Sequence, residues 1–435
     1  MVIDLDTWVV PLLLAIAAGP ALQGLLLLTW AKPGTATRAR LAVWHSALVC
    51  LASWAVLAAF LGHPEAAWEH SLPTWLHLRE EHWQPRLLVD RLSVLYLLLV
   101  GLVYPVVVRF SLPSFHREPG ADRYWFLVSL LASALWLLCL AGNLETLFVA
   151  WELVGVASVL LIGFFHRQVR AAQNSLRALV YYRLGDFLIL VAAVLIHHTF
   201  RDHRFRHYEA DLATPHAVLI GMALLGGSLA KSAQLPMSPW LHRAMEGPAA
   251  SSAIFYGALS VHLGPFLLLR TSDLWLHEPA VRWTMAGIGF ATAGFATLVG
   301  RTRADAKTAL AYATMAQIGI MYCELAAGWQ VLVAVHLFAH AGLRTWQFLR
   351  SSSLIQDFQD NPVYAGGLLL RRKLFVEHLL PERLQRRLYL AAVRMFWIDG
   401  LQWHWLAAPV LGVATALVRA ERWLLRRSPR DGGSA

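Results

Sequence analysis

Polar residues are scarce along most of this 435-residue chain and fall at intervals. Between them run continuously apolar stretches of about 20 residues, the length at which an α-helix crosses the hydrocarbon core of a bilayer. Barrel strands would alternate apolar and polar positions over shorter segments, and these stretches do not. A segment in lipid must satisfy its backbone internally, so the pattern predicts an all-α, polytopic transmembrane helix bundle. Spans are predicted at 7–30, 41–61, 87–109, 124–141, 143–165, 175–198, 216–245, 250–270, 282–300, 306–327 and 329–350, with a further short one at about 402–419. One of them is unlike the rest. "GGSLAKSAQLPMSPWLHRAMEGPAASSA" (Gly226 to Ala253) sets Lys231 in an apolar helix and follows it with Pro236 and Pro239. Each proline lacks the N–H that a helix needs, so the span at 216–245 is predicted to be a broken helix. Beyond 350 the pattern changes again. "RRKLFVEHLLPERLQRRLYLAAVRMFWIDG" interleaves basic and apolar residues, which predicts amphipathic helices at the membrane surface.

Composition sharpens this reading. The chain is 57% hydrophobic and 15% charged, with mean hydropathy +0.51. A soluble domain carries about 25% charged residues. The net charge of +10 comes almost wholly from arginine, because the only lysines are Lys32, Lys231, Lys307 and Lys373. With the N-terminus outside, Lys32, Arg38, Arg40, Arg109, Arg117, Arg123, Arg167, Arg170, Arg301, Arg303 and the basic tail fall inside, against Arg79, Arg86, Arg201, Arg204, Arg206 and Arg282 outside. That asymmetry predicts a multi-pass membrane protein with its N-terminus outside and a cytoplasmic C-terminal tail. It leaves no basic stripe with interleaved aromatics, so nucleic acid is excluded as a partner. Cys50, Cys139 and Cys323 lie far apart in apolar runs and read as small buried hydrophobes. The first apolar run lacks a basic start and reads as a first span, not a cleaved leader.

Ionisable groups inside spans cost at least about 2.5–3.5 kcal/mol each at a helix centre, so they mark functional candidates. Glu145 and Glu152 lie two helical turns apart, on one face. Arg183 and Asp186 are three apart and able to pair, as a structural ion pair or as part of a path. Lys307 opens "KTALAYATMAQIGIMYCEL", which also holds Gln317 and Glu324, and His336, His340 and Arg344 form one stripe at four-residue spacing. A buried lysine and a nearby carboxylate shift each other's proton affinity in opposite senses to burial, so Glu152 and Lys231 are expected to form a switchable protonation pair. Histidines relay protons near neutral pH. Freed backbone at Pro236 and Pro239 is tolerated at membrane depth only beside protein or water. Together these predict a proton path of Glu145, Glu152, Arg183, Asp186, Lys231, Lys307, His336 and His340. A metal site at His336 and His340 lacks the Glu of HExxH and a third ligand; the His-rich loop "HHTFRDHRFRHYEAD" reads as solvated. No dinucleotide, haem or iron–sulfur motif is present, so no cofactor and no redox catalysis are expected on this chain.

These stretches resemble a known family, the antiporter-like membrane subunits of respiratory complex I (NuoL type) and of MrpA-type cation/proton antiporters. The resemblance rests on "WELVGVASVLLIGFF", "KSAQLPMSPWLHRAMEGPAASSAI", "RADAKTALAYATMAQIGIMY" and "HLFAHAGLRTWQFL", in that order, and covers roughly residues 87–355. It implies a fold of inverted five-helix repeats, each with a broken helix. It matches Glu152 to the family's key glutamate, Lys231 to its broken-helix lysine, Arg183 and Asp186 to the pair that follows, and Lys307, His336 and His340 to a central hydrophilic axis. Two departures stand out: Tyr256 where the family usually has His, and Arg344 where it has a lysine. Arginine does not deprotonate in proteins. No second broken helix and no long lateral helix are recognised after residue 355, so the second repeat reads as truncated. The organisation expected is N-terminal spans and an outer loop (1–123), a first repeat (124–270), a partial second repeat (271–350) and a partner-docking tail (351–435). "HREPGADRYWF", "SLRALVYYRLGDFLIL" and the reduced C-terminus look closest to the DabB branch, the membrane subunit of an inorganic-carbon pump. That branch implies flow of protons or sodium down their gradient, a large cytoplasmic DabA-like partner that holds zinc, and CO2 hydration in that partner. The chain itself is then an ion-translocating subunit and not an enzyme. Alternatives are a pump or antiporter module of a complex I or Mrp assembly, and a non-conducting scaffold.

Overall fold

A computed structural model describes residues 5–29, 35–62, 67–78, 81–115, 118–200, 204–205, 216–360, 381–398, 400, 412–413, 415–419 and 422. The chain divides into two compact units, Met1–Arg371 and Arg372–Ala435.

The first unit is a helix bundle. Two long helices, α1 (Leu5–Thr29) and α2 (Thr35–Gly62), open it. α3 (Arg91–Ser114), α4 (Ala121–Cys139), α5 (Leu144–Ile162) and α6 (Val169–Phe200) follow, each packing against the next. Asp90 caps α3 by accepting from the Ser93 amide at 2.8 Å, and Asn143 caps α5 by accepting from the Thr146 amide at 3.2 Å. Pro20 inside α1 has no N–H for the Ile16 carbonyl one turn back. That carbonyl instead accepts from His45 Nε2 at 3.1 Å and from Ser133 Oγ at 2.8 Å, which ties α1 to α2 and α4. His45 Nδ1 meets the Tyr104 hydroxyl of α3 at 2.9 Å.

Two antiparallel ladders precede α3: β1 (Trp68–Ser71) with β4 (Arg86–Val89), and β2 (Leu76–Leu78) with β3 (Glu81–Trp83). The all-α expectation therefore needs a small β addition within the outer loop, where strands of three or four residues are too short for a periodic signal.

After the break described below, α8 (Ala249–Ser252) continues as a π-helical turn over Ala253–Ala258, a 3₁₀ turn over Ser260–His262 and α9 (Leu263–Arg270). The span expected at 250–270 is thus four segments wound in three ways, α, π and 3₁₀. The Leu259 amide bonds five residues back to Ile254, and His262 bonds three back to Leu259. α10 (Pro279–Gly300) and α11 (Ala306–Ala326) run side by side, because Gly289 and Gly319 face each other: a Cβ on either would come within 2.6 Å of the other's carbonyl oxygen. α12 (Gln330–Asp360) runs through the boundary expected at 350 without a stop.

Among the described residues, eight helices are long and apolar enough to cross a membrane. α7 (Ala217–Lys231) is apolar but shorter, and α11 and α12, which carry Lys307, Gln317, Glu324, His336, His340 and Arg344, fall outside that group. The protein is a polytopic helical membrane protein. In the second unit, α13 (Glu382–Val393) interleaves Arg383, Arg386 and Arg387 with exposed Leu384, Tyr389, Leu390 and Val393, as the amphipathic pattern predicted. Most of the short span expected at 402–419 lies outside the described residues.

Candidate functional site

The break in α7 organises the interior. Pro236 has no N–H for the Ser232 carbonyl, and that carbonyl accepts from Gln234 Nε2 at 3.0 Å. Ala233 takes a left-handed backbone (φ 52°) as the chain turns out of the helix. The remaining loose ends find side chains. The Ala230 carbonyl accepts from the Trp240 indole at 3.0 Å, and the Leu235 amide donates to Thr292 Oγ1 at 3.1 Å. Gln234 Nε2 also reaches the Met315 carbonyl at 3.4 Å, and Ser232 Oγ donates to the Val261 carbonyl at 2.7 Å. Pro239 sits in a buried 3₁₀ turn, Ser238–Trp240. The helix ends directly after Lys231, and both prolines lie in the irregular segment that follows it.

Small residues bring the charges together. A Cβ on Gly185 of α6 would lie 2.6 Å from the Ala230 Cβ and 3.2 Å from the Gly227 carbonyl oxygen, so α6 and α7 touch there backbone to backbone. Asp186 and Lys231, each one residue further along, are carried into the same layer. Lys231 is 2% exposed. Its ammonium donates to the Trp151 carbonyl at 3.2 Å and lies 4.9 Å from the Trp151 ring centre and 4.4 Å from that of Tyr182. Asp186 Oδ1 accepts from the Trp151 indole at 2.9 Å. Arg183 binds both acids: it pairs with Glu152 of α5 and with Asp186 at 2.9 Å. Two acids and two bases from three helices thus form one balanced cluster. Glu152 is bonded to Arg183 and not to Lys231, so the expected direct pair is a foursome joined through the guanidinium and Trp151. Glu145 lies in the first turn of α5, about 10 Å further along the helix axis from Glu152, a distance set by the 1.5 Å rise per residue.

A second group forms on α11 and α12. His336 Nδ1 meets the Glu324 carboxylate at 3.0 Å and Nε2 meets Gln317 Oε1 at 3.1 Å. Two acceptors face the two ring nitrogens. His340, one turn on, has its ring centre 6.1 Å from that of His336. Its Nδ1 lies 2.9 Å from Nε2 of His262, a fully buried histidine in the irregular span. Its Nε2 accepts from Arg344 Nε at 3.0 Å. Between the break and this group, Ser228 Oγ is hydrogen-bonded to the Tyr322 hydroxyl. Lys307 is placed apart from both groups, at the start of α11, where it donates to the Gly247 carbonyl at 3.3 Å.

Sequence reasoning missed His262, Trp151, Tyr182 and the Glu324–His336 pairing. His262 carried a usable signal, as an ionisable side chain within an apolar run. The two aromatics carried none, because their role comes from the contact of α5 and α6 with α7.

The family described as NADH:quinone oxidoreductase/Mrp antiporter, transmembrane, matches residues 141–374. NADH-quinone oxidoreductase subunit L of Escherichia coli (strain K12) is 32% identical over 72% of this chain and 53% of its own length. The counterpart from Mycobacterium tuberculosis (strain ATCC 25618 / H37Rv) is 33% identical over 74% of this chain and 54% of its own length. A probable inorganic carbon transporter subunit, DabB1, of Halothiobacillus neapolitanus is 30% identical over 80% of this chain and 62% of its own length. Among solved structures, the Mrp complex from Dietzia sp. DQ12-45-1b contains a chain that superposes with a TM-score of 0.68 at 25% identity, covering 80% of this chain and 38% of that one. The chain spans about half the length of the curated subunit L relatives it matches.

Proposed function

The chain belongs to the NADH:quinone oxidoreductase/Mrp antiporter family of membrane subunits, and from that premise we propose that it carries protons, or sodium ions, across the membrane. The observation behind this reading is the Lys231 cluster: a fully enclosed amine and two acids beside a ruptured helix. A scaffold has no need of that arrangement, and filling the same space with apolar side chains is neutral or stabilising. In this reading Glu152, Arg183, Asp186 and Lys231 form the first proton station, and His336 and His340 continue the path. Lys307 gathers protons at the cytoplasmic end, with Glu145 at the opposite end of α5. The N-terminus lies outside and the basic tail in the cytoplasm of a bacterial inner membrane.

Within the family, the reading we favour is the ion-conducting subunit of an energy-coupled inorganic carbon uptake complex. It is supported by the similarity to DabB1, which extends over 80% of this chain. The partner would be a large cytoplasmic DabA-like subunit that holds zinc and hydrates CO2, docked on the tail after residue 350. The identities to subunit L favour a second reading, a pump module in a complex I-like or Mrp-type assembly. Arg344, which cannot release a proton, favours a third, a non-conducting scaffold. Purification of the tagged chain from its native membrane separates the first two: recovery of one large zinc protein supports carbon uptake, and recovery of several other membrane subunits supports the pump module. Cells that depend on the complex for growth at ambient CO2 test the site. Lys231→Ala and Glu152→Gln are expected to require added CO2, and growth at ambient CO2 in both refutes the assignment.

A further inference from the structure

His262 and His340 face each other across the contact between the irregular span and α12, and their hydrogen-bond partners fix where their protons sit. Arginine has donors only. Arg344 Nε donates to His340 Nε2 at 3.0 Å, so that nitrogen is bare and the His340 proton is on Nδ1. Nδ1 therefore donates to His262 Nε2 at 2.9 Å, which places the His262 proton on its own Nδ1. The His262 amide bonds to the Leu259 carbonyl, and His262 Nδ1 has no hydrogen-bond partner among the described residues. The result is a polarised row of three side chains, Arg344 to His340 to His262. All three are enclosed, at 9%, 5% and 0% exposure.

We propose that His262 and His340 together form a two-ring proton-carrying site, and that Arg344 is the latch that keeps it unloaded. This rests on the reading of the chain as an ion conductor. With Arg344 in place, both bare ring nitrogens already accept a hydrogen bond, so an incoming proton finds no lone pair. Arg344 Nη1 also donates to Gln347 Oε1 at 2.6 Å, one turn further along α12, and this second anchor marks where the guanidinium withdraws. Once it has withdrawn, a proton from hydronium bonds to His340 Nε2, and the Nδ1 proton of His340 passes to His262 Nε2. His262 becomes an imidazolium and His340 is neutral again with its proton on Nε2. One proton has entered and one positive charge is present. Loss of the His262 Nδ1 proton to water, as hydronium, completes the transfer. Both rings then carry their proton on Nε2, and each must turn over to put it back on Nδ1; Arg344 can return only after that reset has bared His340 Nε2. The other groups facing the pair are His336, with Glu324 behind it, on the α12 side, and the Tyr96 hydroxyl, which donates to the His262 carbonyl at 3.0 Å. The site adjoins the break in α7, since the neighbouring Val261 carbonyl is the acceptor of Ser232.

The test uses the full-length chain in lipid bilayers, with ¹⁵N-labelled histidine for solid-state NMR and a pH-sensitive dye for proton flux through vesicles. Wild-type spectra at pH 7 are expected to assign Nδ1–H to both rings; an Nε2–H on His340 overturns the latch. Arg344→Met, which has no donor, is expected to move the His340 proton to Nε2 and to raise resting flux severalfold. An unchanged tautomer with unchanged flux overturns the proposal. His262→Asn keeps an acceptor for His340 but cannot carry a proton, and flux is expected to fall at least about tenfold, the loss typical of a removed proton-transfer group. His262→Gln serves in the same role if the asparagine variant does not fold. Wild-type flux in a folded variant overturns this proposal alone, whereas a wild-type chain that passes no ions removes the functional reading itself.

Discussion

Replacing Lys231 with methionine separates a conducting role from a structural one, because its costs and gains to stability nearly cancel. Methionine keeps the length and the apolar stem of the side chain and removes the ammonium. Two cation–π contacts disappear, at 4.9 Å from Trp151 and 4.4 Å from Tyr182, each contributing about 1 kcal/mol. The charge-assisted hydrogen bond to the Trp151 carbonyl contributes about 2 kcal/mol more. Against this loss of about 4 kcal/mol stands the desolvation of an ammonium that is 2% exposed, several kcal/mol even after local relaxation. The variant leaves two acids to one guanidinium, but Arg183 still holds both, the Trp151 indole still donates to Asp186, and uptake of one proton by the pair restores the charge balance. Folding stability should therefore change by no more than about 2 kcal/mol in either direction. Proton flux should fall at least about tenfold, since no transferable proton is left at the break. The two are measured on one preparation, thermal unfolding in detergent and dye-detected flux after reconstitution. A folded Lys231→Met protein that conducts like wild type refutes the reasoning, and so does one that unfolds outright, because the amine would then be a structural member of the bundle.

Other perturbations probe the neighbours of that amine. Gly155→Ala would bring a Cβ to 3.1 Å from Nζ of Lys231, so the ammonium must shift off the Trp151 carbonyl; flux should drop while the melting temperature stays close to that of wild type. Arg183→Gln removes the cation shared by Glu152 and Asp186. Because Arg183 is about half exposed, the stability loss is about 1 kcal/mol, and the clearer readout is a reduced flux that Arg183→Lys restores in part. Asp90 reports on pH outside the spans. Burial raises its carboxyl, but Arg270 beside it and the Ser93 amide outweigh this and hold it below the usual carboxylate range. A lowered folded value means that the stabilisation is present above the ordinary aspartate range near pH 4 and is lost as pH falls through it. Wild-type melting temperature should therefore drop between pH 5 and pH 3, whereas Asp90→Asn, which keeps the helix cap, should be about 3 kcal/mol weaker at pH 7 and flatter over that range. A variant with wild-type pH dependence would dismiss the Arg270 pairing.

What the sequence made legible was whatever lies along one helix. Apolar run lengths located the helices of the first unit, most of their ends to within several residues though not those of α7 and α12, two prolines pointed to the break, and three-residue spacing pointed to the contact of Arg183 with Asp186. What it concealed depends on how helices meet. Nothing in "NLETLFVAWEL" says that Trp151 will offer its carbonyl to Lys231 and its indole to Asp186. That follows only once Gly185 and Gly227 let α6 and α7 close up. The π-helical turn over Ala253–Ala258 was hidden because its residues (Ala, Ile, Phe, Tyr and Gly) include no proline to announce a change of winding. His262 was passed over because it has no ionisable neighbour at helical spacing; its partner is 78 residues away.

The two irregular segments belong to one argument. A regular helix in lipid turns every carbonyl inward on itself and offers a passing proton only alkyl side chains. Here α7 breaks after Lys231, and the next span unwinds between Ala253 and His262. The two faults are in contact, because Ser232 of the first donates to Val261 of the second. Three carbonyls lie beside this seam: Ser232 and Met315, both bonded to Gln234, and Val261, bonded to Ser232. Oriented carbonyl dipoles stabilise positive charge without titrating, the office that half-helix ends and unwound backbone serve at ion sites in transporters. On the proposed function, the titratable groups are therefore stations and the seam between them is the track. A substitution that straightens the track while leaving every station intact should stop conduction as completely as removing a station. Pro236→Ala restores an N–H to compete for the Ser232 carbonyl, and it is expected to cut flux although no ionisable residue has changed.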